Sequence, residues 1–385
     1  MFKISAIICV FGACWGVPIA QALPAWSVEA VYSGEVMRNV DGGIQRASRY
    51  MDNLDITASH QATWFGEDAE LFVYGLYNNS ATFSDTVVGD LQTVSNIDTP
   101  QNFRLYEAWY LQRFRQGRGS VKLGLIDLNT EFDAIDTAAL FLGSAHGIGT
   151  DFSQSGENGP SIFPVTSLAV RVDYALSESW ILRAGVFDAV PGDPDHPARN
   201  AVSLNDGALW VAEVNHVAAG DARFALGAWG YTVGSERLFA QTDTSDRNRG
   251  AYAFIDAPLR HESGDDTQGL NGFMRVGAAR ESVNQTGRYL GAGLVYTGLL
   301  PGRDADQLGL AVAVAFNGDT FKRARRSEGL PVDGSETAIE LSYRMQLNDW
   351  LRLQPDIQYI IDTGALGELK NALVLGVRFE VALHN

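Results

Sequence analysis

The sequence predicts an all-β protein: a transmembrane antiparallel β-barrel of about sixteen strands with short periplasmic turns, long external loops and an inward-folded third loop. Three observations carry this reading. Apolar and polar residues alternate with a period of two from one end of the chain to the other. The alternating segments run to about ten residues between clusters of Gly, Asp, Asn and Pro, which is the ~9–11 that a tilted strand needs to cross a bilayer. Connections between them are short and long in turn, as in a barrel with turns on one side and loops on the other.

The N-terminal segment is set apart. Residues 1–25 carry Lys3, an apolar stretch from Ile4 to Ala20 and the triplet Ala20-Gln21-Ala22. This is the layout of a secretory signal peptide, expected to be cleaved after about Ala22 or Ala25, with residues 26–385 forming the barrel domain. Phe11-Gly12-Ala13-Cys14 departs from the Leu-led box of a lipoprotein. Both cysteines, Cys9 and Cys14, fall in this segment, so the exported chain has no disulfide framework.

Strands are expected near 28–37, 52–63, 69–79, 102–114, 119–127, 165–176, 179–189, 206–218, 221–233, 248–257, 269–281, 287–297, 307–317, 335–347, 350–361 and 370–382. The segment Gln307 to Phe316 is the clearest. Leu308, Leu310, Val312, Val314 and Phe316 share one face, and Gly309, Ala311, Ala313 and Ala315 the other. Between Thr337 and Leu347, apolar residues alternate with Glu340, Ser342, Arg344 and Gln346, and the last two segments repeat the pattern. Aromatic residues at segment ends, such as Trp180, Tyr289, Tyr296, Trp350 and Tyr359, fit girdles at the headgroups.

Short links such as 115–118, 177–178, 219–220 and 348–349 alternate with long ones such as 80–101, 190–205 and 318–334. Two expected turns, Pro258 to Gln268 and Gly298 to Asp306, are long for their side, and the loop 282–286 is short for its own. The longest connection, Leu128 to Pro164, is the third external loop; folded inward, it would narrow an otherwise wide lumen.

The formal net charge of −17 and the lack of a basic run with interleaved aromatics set nucleic acid aside. The residues show no His-Glu-x-x-His, P-loop or nucleophile elbow, and Gly291-Ala292-Gly293 reads as strand because no helix pattern follows. Asp127, Asn129, Glu131, Asp133, Asp136 and His146 cluster hard ligands without a known cation-loop spacing, so an ordinary solvated loop is expected, with no metal and no cofactor.

Several blocks carry a family resemblance. Leu105-Tyr106-Glu107-Ala108-Trp109-Tyr110, Val121 through Phe132, Gly159-Pro160-Ser161-Ile162-Phe163-Pro164, Tyr289-Leu290-Gly291-Ala292-Gly293-Leu294 and Leu353-Gln354-Pro355-Asp356-Ile357-Gln358-Tyr359 resemble the OprB family of carbohydrate-selective porins. The resemblance implies a sixteen-stranded outer-membrane barrel that passes glucose and related sugars by facilitated diffusion. Barrels of this class usually finish on an aromatic residue read by the assembly machinery, whereas here the chain continues past Phe379 to Leu383-His384-Asn385.

A pyranose offers hydroxyls at its rim and C–H groups on its faces, so a selective pore needs hydrogen-bonding forks and aromatic rings. Candidates by lumen parity are Arg171, Asp173, Arg275, Glu340, Arg344, Arg352, Asp356, Gln358, Arg378 and Glu380, with Glu107 and Trp109 from the family-like block. Cross-strand charge compensation within the wall is the competing role for each. The expected partners are small carbohydrates, outer-membrane lipid and the assembly machinery, for a monomer or a homotrimer. The competing functions are a non-specific diffusion porin on the same scaffold, and a secreted polysaccharide-binding or hydrolysing β protein using a carboxylate pair such as Asp356 and Glu340.

Overall fold

The computed structural model describes residues 26–79, 82–193, 205–239, 245–262 and 265–384. The expected signal segment, 1–25, lies outside them. The strands are β1 (Ser27–Asp41), β2 (Ser48–Trp64), β3 (Glu67–Asn78), β4 (Asn102–Phe114), β5 (Gly119–Ile126), β6 (Ser167–Ala175), β7 (Trp180–Asp188), β8 (Ala208–Val217), β9 (Arg223–Glu236), β10 (Ser245–Glu262), β11 (Asp265–Ala279), β12 (Thr286–Thr297), β13 (Gln307–Asn317), β14 (Ser335–Asn348), β15 (Leu351–Ile361) and β16 (Ala372–His384). Each pairs antiparallel with its chain neighbours, and β1 pairs with β16 to close the barrel. Closure leaves no strand edge unpaired, which is what hydrocarbon demands of a backbone.

The two faces of the wall separate as the alternation predicts. Leu310, Leu341, Ile357 and Leu375 are cross-strand partners in one row over β13 to β16, all exposed on the lipid side. Glu340, Gln358 and Arg378 point inward and are buried. Trp180, Trp350 and Tyr359 stand exposed on the lipid face, but Tyr289 does not join them. It shares the inward parity of β12 and donates its hydroxyl to the Ala145 carbonyl at 2.7 Å.

The expected turn Pro258 to Gln268 is a correction. β10 continues to Glu262 and β11 begins at Asp265, with register shifts at Pro258/Arg260 and His261/Glu262. Pro258 breaks the alternation without ending the strand, because a bulge absorbs its missing donor. A second shift, between Tyr74 and Gly75, sets Glu107 against Tyr74 but Leu105 against Gly75, so that Tyr106 and Glu107 are both buried.

Candidate functional site

The third loop leaves β5 at Ile126 and crosses the lumen. At its root the Tyr106 hydroxyl donates to Asp127 at 2.5 Å and the Asp127 backbone N–H to Glu107 at 2.9 Å. Glu131 lies against Arg171 Nε at 2.7 Å and against Lys122, while Arg183 donates to the Glu131 carbonyl. Asp133 and Asp151 flank Arg275 of β11 at 2.6 and 2.5 Å. Phe152 stacks on Trp229 with centroids 4.7 Å apart. At the tip, the Leu142 and Gly143 N–H groups donate to Glu340 at 2.6 and 3.0 Å, and Gln354 donates to the Leu140 carbonyl at 2.7 Å. β13 stands opposite β5 in the ring of strands, and a Cβ added to its Gly309 would lie 2.5 Å from Leu140 and 2.8 Å from Phe141. The small inward face of β13 is therefore the seat of the loop tip.

A second loop, described over residues 82–101, also folds inward, where the sequence led to the expectation of an external loop. Phe83 and Ser84 donate their N–H groups to Asp98, and Leu91 and Gln92 donate theirs to Glu336 at 2.8 and 3.0 Å. The two loops then hydrogen-bond to each other, Asn96 N–H to Leu142 carbonyl at 2.7 Å and Ser144 N–H to Thr93 carbonyl at 2.9 Å. The signal was present: Val87, Val88, Val94 and Ile97 are apolar residues in a segment expected to be external, and all four are buried.

Between and beneath the loops lie two neighbouring spaces. The outer one, of about 510 Å³, is lined by residues including Asp98, Arg104, Asp127, Asn129, Asn158 and Gln154. The inner one, of about 50 Å³, is lined by Asn53, Asp55, Tyr74, Tyr106, Arg344, Arg378 and Glu380 among others. Asn96 and Phe163 border both, and so stand between the two spaces. Tyr106 packs edge-on to Tyr74 at 4.9 Å and near Phe163 at 6.2 Å, forming an aromatic wall. Across from it Arg378 donates to Glu35 at 2.7 Å and to Asn96 at 2.8 Å.

Of the predicted residues, Arg344, Arg378 and Glu380 line the inner space. The others line neither space: Glu107, Trp109, Arg171, Asp173, Arg275, Glu340, Arg352, Asp356 and Gln358. Arg171 joins Glu131 to Asp173, which Arg183 also holds at 2.7 Å. Trp109 stacks on Phe72 at 4.8 Å with Lys122 3.9 Å from its ring centre. Arg352 faces Glu380 at 3.6 Å, and Gln358 donates to the Val94 carbonyl and to Asp356 at 2.7 and 3.0 Å. Tyr74, Tyr106, Phe163, Asn96 and Asp55 line the same inner space and were not among the candidates: Tyr106 because the bulge in β4 moves its parity, Phe163 and Asn96 because they sit on loops.

The acidic cluster of the third loop is not solvated, contrary to expectation. Asp127, Asn129, Glu131, Asp133 and His146 are buried, each committed to a wall or loop partner, and only Asp136 is on the surface, 3.6 Å from Arg223. Among the described residues no group of three or more His, Cys, Asp or Glu is placed to hold a metal ion. Burial alone would raise the Glu131 carboxyl, but Lys122 and Arg171 beside it hold it well below the usual range. Burial pushes His146 down to about 4.

A barrel of sixteen strands narrowed by folded loops is a channel architecture, and the comparisons with known proteins agree. The description "Carbohydrate-selective porin, OprB family" matches residues 65–383. The chain belongs to the OprB family. Porin B of Pseudomonas aeruginosa is 24% identical over 414 residues, covering 95% of this chain and 89% of that one. A high-pH structure of Pseudomonas putida OprB superposes with a TM-score of 0.83 at 21% identity, covering 93% of this chain and 94% of that chain. The outer membrane channel DcaP of Acinetobacter baumannii shares the fold more distantly, with a TM-score of 0.58 at 10% identity over 93% of this chain and 97% of that one. This OprB-family chain is a carbohydrate porin of the bacterial outer membrane. Asp356 and Glu340 are not a hydrolytic pair facing solvent: both are buried, and Glu340 is occupied with the tip of the third loop.

Proposed function

We propose that the neck between the second and third loops is the selective element, and that it passes glucose and related small sugars by facilitated diffusion. The observation that carries this is the pairing of an aromatic wall, Phe163 with Tyr106 and Tyr74, with the hydrogen-bonding groups of Arg378, Arg344, Asn96 and Asp55 around one narrow space. A pyranose sliding through loses water from its C–H faces against the rings and exchanges its hydroxyl hydration for forked donors and carboxylate acceptors. Positive and negative groups are mixed at the neck, so it favours a neutral polar solute over an ion of either sign.

Export through cleavage of segment 1–25, and insertion by the outer-membrane assembly machinery, complete the proposal. In reconstituted liposomes, swelling is expected to be fast with glucose and slow with larger oligosaccharides and with amino acids of similar mass. Equal rates set only by solute size would instead make the chain a non-specific diffusion porin. Arg378→Ala is expected to lower glucose flux relative to a small neutral solute such as glycerol.

A further inference from the structure

The outer ends of β10, β11 and β12 carry a feature that the channel does not use. On β11 the lipid face runs through Met274, Val276 and Ala278, all exposed, and ends in Arg280. On β12 it runs from Leu294 outward and ends in Arg288, whose side chain is 71% exposed. On β10 it ends in Arg249, which accepts at its carbonyl the Arg280 N–H at 2.9 Å and whose guanidinium makes no ion pair with another described residue. Three neighbouring strands thus finish their apolar columns with an arginine on the side of the long loops.

The depth of this row is set by aromatic residues. Arg249 pairs in register with Gly230, and Gly230 with Trp210, which is exposed on the lipid face with its indole over that glycine. Arg288 pairs with Phe316, also exposed. Rings at strand ends sit at the headgroups, so the arginines do too. Arg237 and Arg247 flank the row, and among the described residues the carboxylates facing it are Asp246, held by Arg280 at 2.8 Å and Arg237 at 3.4 Å, Glu281, 3.7 Å from Arg288, Asp319, paired with Lys322 at 2.8 Å, and Glu236. The patch has an excess of positive charge in a chain of net charge −17.

We propose that this row binds the phosphate groups of an anionic glycolipid in the outer leaflet. An arginine fork matches two phosphate oxygens, and arginines at three adjacent strand ends match a headgroup bearing more than one phosphate. The small lipid-facing residues below, Ala251, Ala278 and Ala292, leave room for its acyl chains. The inference rests on the barrel lying in a membrane and not on which sugar it passes.

The test is native mass spectrometry of the full folded barrel in detergent, with diphosphoryl lipid A, fully dephosphorylated lipid A and inorganic phosphate as probes. The diphosphoryl form is expected to bind, and the R249Q/R280Q/R288Q variant to bind it ~100-fold more weakly. The control R115Q/R118Q, which removes two positive charges from the exposed β4–β5 turn at the opposite end of the barrel, is expected to bind as the parent does. Equal binding of the dephosphorylated lipid, displacement by equimolar inorganic phosphate, or an unaffected triple variant would each overturn the proposal. The two lipids are compared on the unaltered protein, so the result stands even where the triple variant does not fold. Glucose flux through the triple variant, expected at the parent level, separates failure here from failure of the channel reading.

Discussion

Arg275 shows how single side chains hold a loop inside a pore. Its guanidinium is buried between Asp133 and Asp151, both from the third loop, with the rings of Tyr252 and Tyr289 5.5 and 5.0 Å away. A buried pair gives little net stability over an apolar equivalent, but removing one partner strands the other charge. Arg275→Ala leaves two buried carboxylates and is expected to cost about 3–5 kcal/mol in the packing of the loop. Single-channel recordings would read this as higher and noisier conductance; a quiet, unchanged current would show the loop held without it. His146 gives the loop a pH dependence. Burial takes it down to about 4 from an ordinary 6.5, so a loosened loop binds a proton that the packed loop does not as pH falls through that window. The contribution of His146 to packing is therefore full above about 6.5 and lost towards about 4. Asp133, which burial pushes up to about 7, acts in the opposite sense, so the comparison must be between the parent and His146→Gln. From pH 7 to 5, amide exchange in the third loop, corrected for intrinsic rates, should rise more in the parent than in H146Q, by up to about tenfold per pH unit. Equal slopes would remove His146 from the account.

At the scale of elements, the strands were legible and the loops were not. β13 could be read residue by residue, because alternation is a local signal and its two faces differ in size. β4 needed a finer reading. Inward parity runs through Asn102, Arg104 and Tyr106 and then resumes at Glu107 and Trp109, and that switch is the bulge. The third loop was expected to fold inward on its length alone, but its seats were beyond reach. Leu142 meets Glu340 across 198 residues of chain and Asp133 meets Arg275 across 142, and no local pattern encodes such pairs. For the same reason nine of the twelve candidates line neither space and pair within the wall or with the loops, while part of the inner space is lined by loop residues Asn96 and Phe163. Gly309 tests the seat directly. A leucine side chain there collides with Leu140 and Phe141, so Gly309→Leu is expected to lift the loop tip and raise conductance, with folding to a heat-modifiable barrel retained. If conductance stays at the parent value, the tip does not set the bore.

At the scale of the whole molecule, the barrel is an inverted object in which charge lies inside and grease outside, and the cost of a misplaced charge depends on depth. Leu341 stands near the middle of β14, in the exposed row with Leu310, Ile357 and Leu375. Trp350 sits at the short turn into β15, equally exposed but at the membrane's edge. An arginine at mid-bilayer costs about 2–4 kcal/mol in a transmembrane barrel and about 0–1 kcal/mol near the interface. Leu341→Arg should therefore lower folding stability in lipid vesicles by the larger amount and Trp350→Arg by far less, although both replace an apolar residue of similar exposure. Both should leave the neck and its glucose flux intact once folded, since neither residue lines it. Were the outer face packed against protein or water instead of lipid, the gradient with depth would vanish, so equal losses at the two positions would contradict a lipid-facing wall in a way that no measurement of flux could.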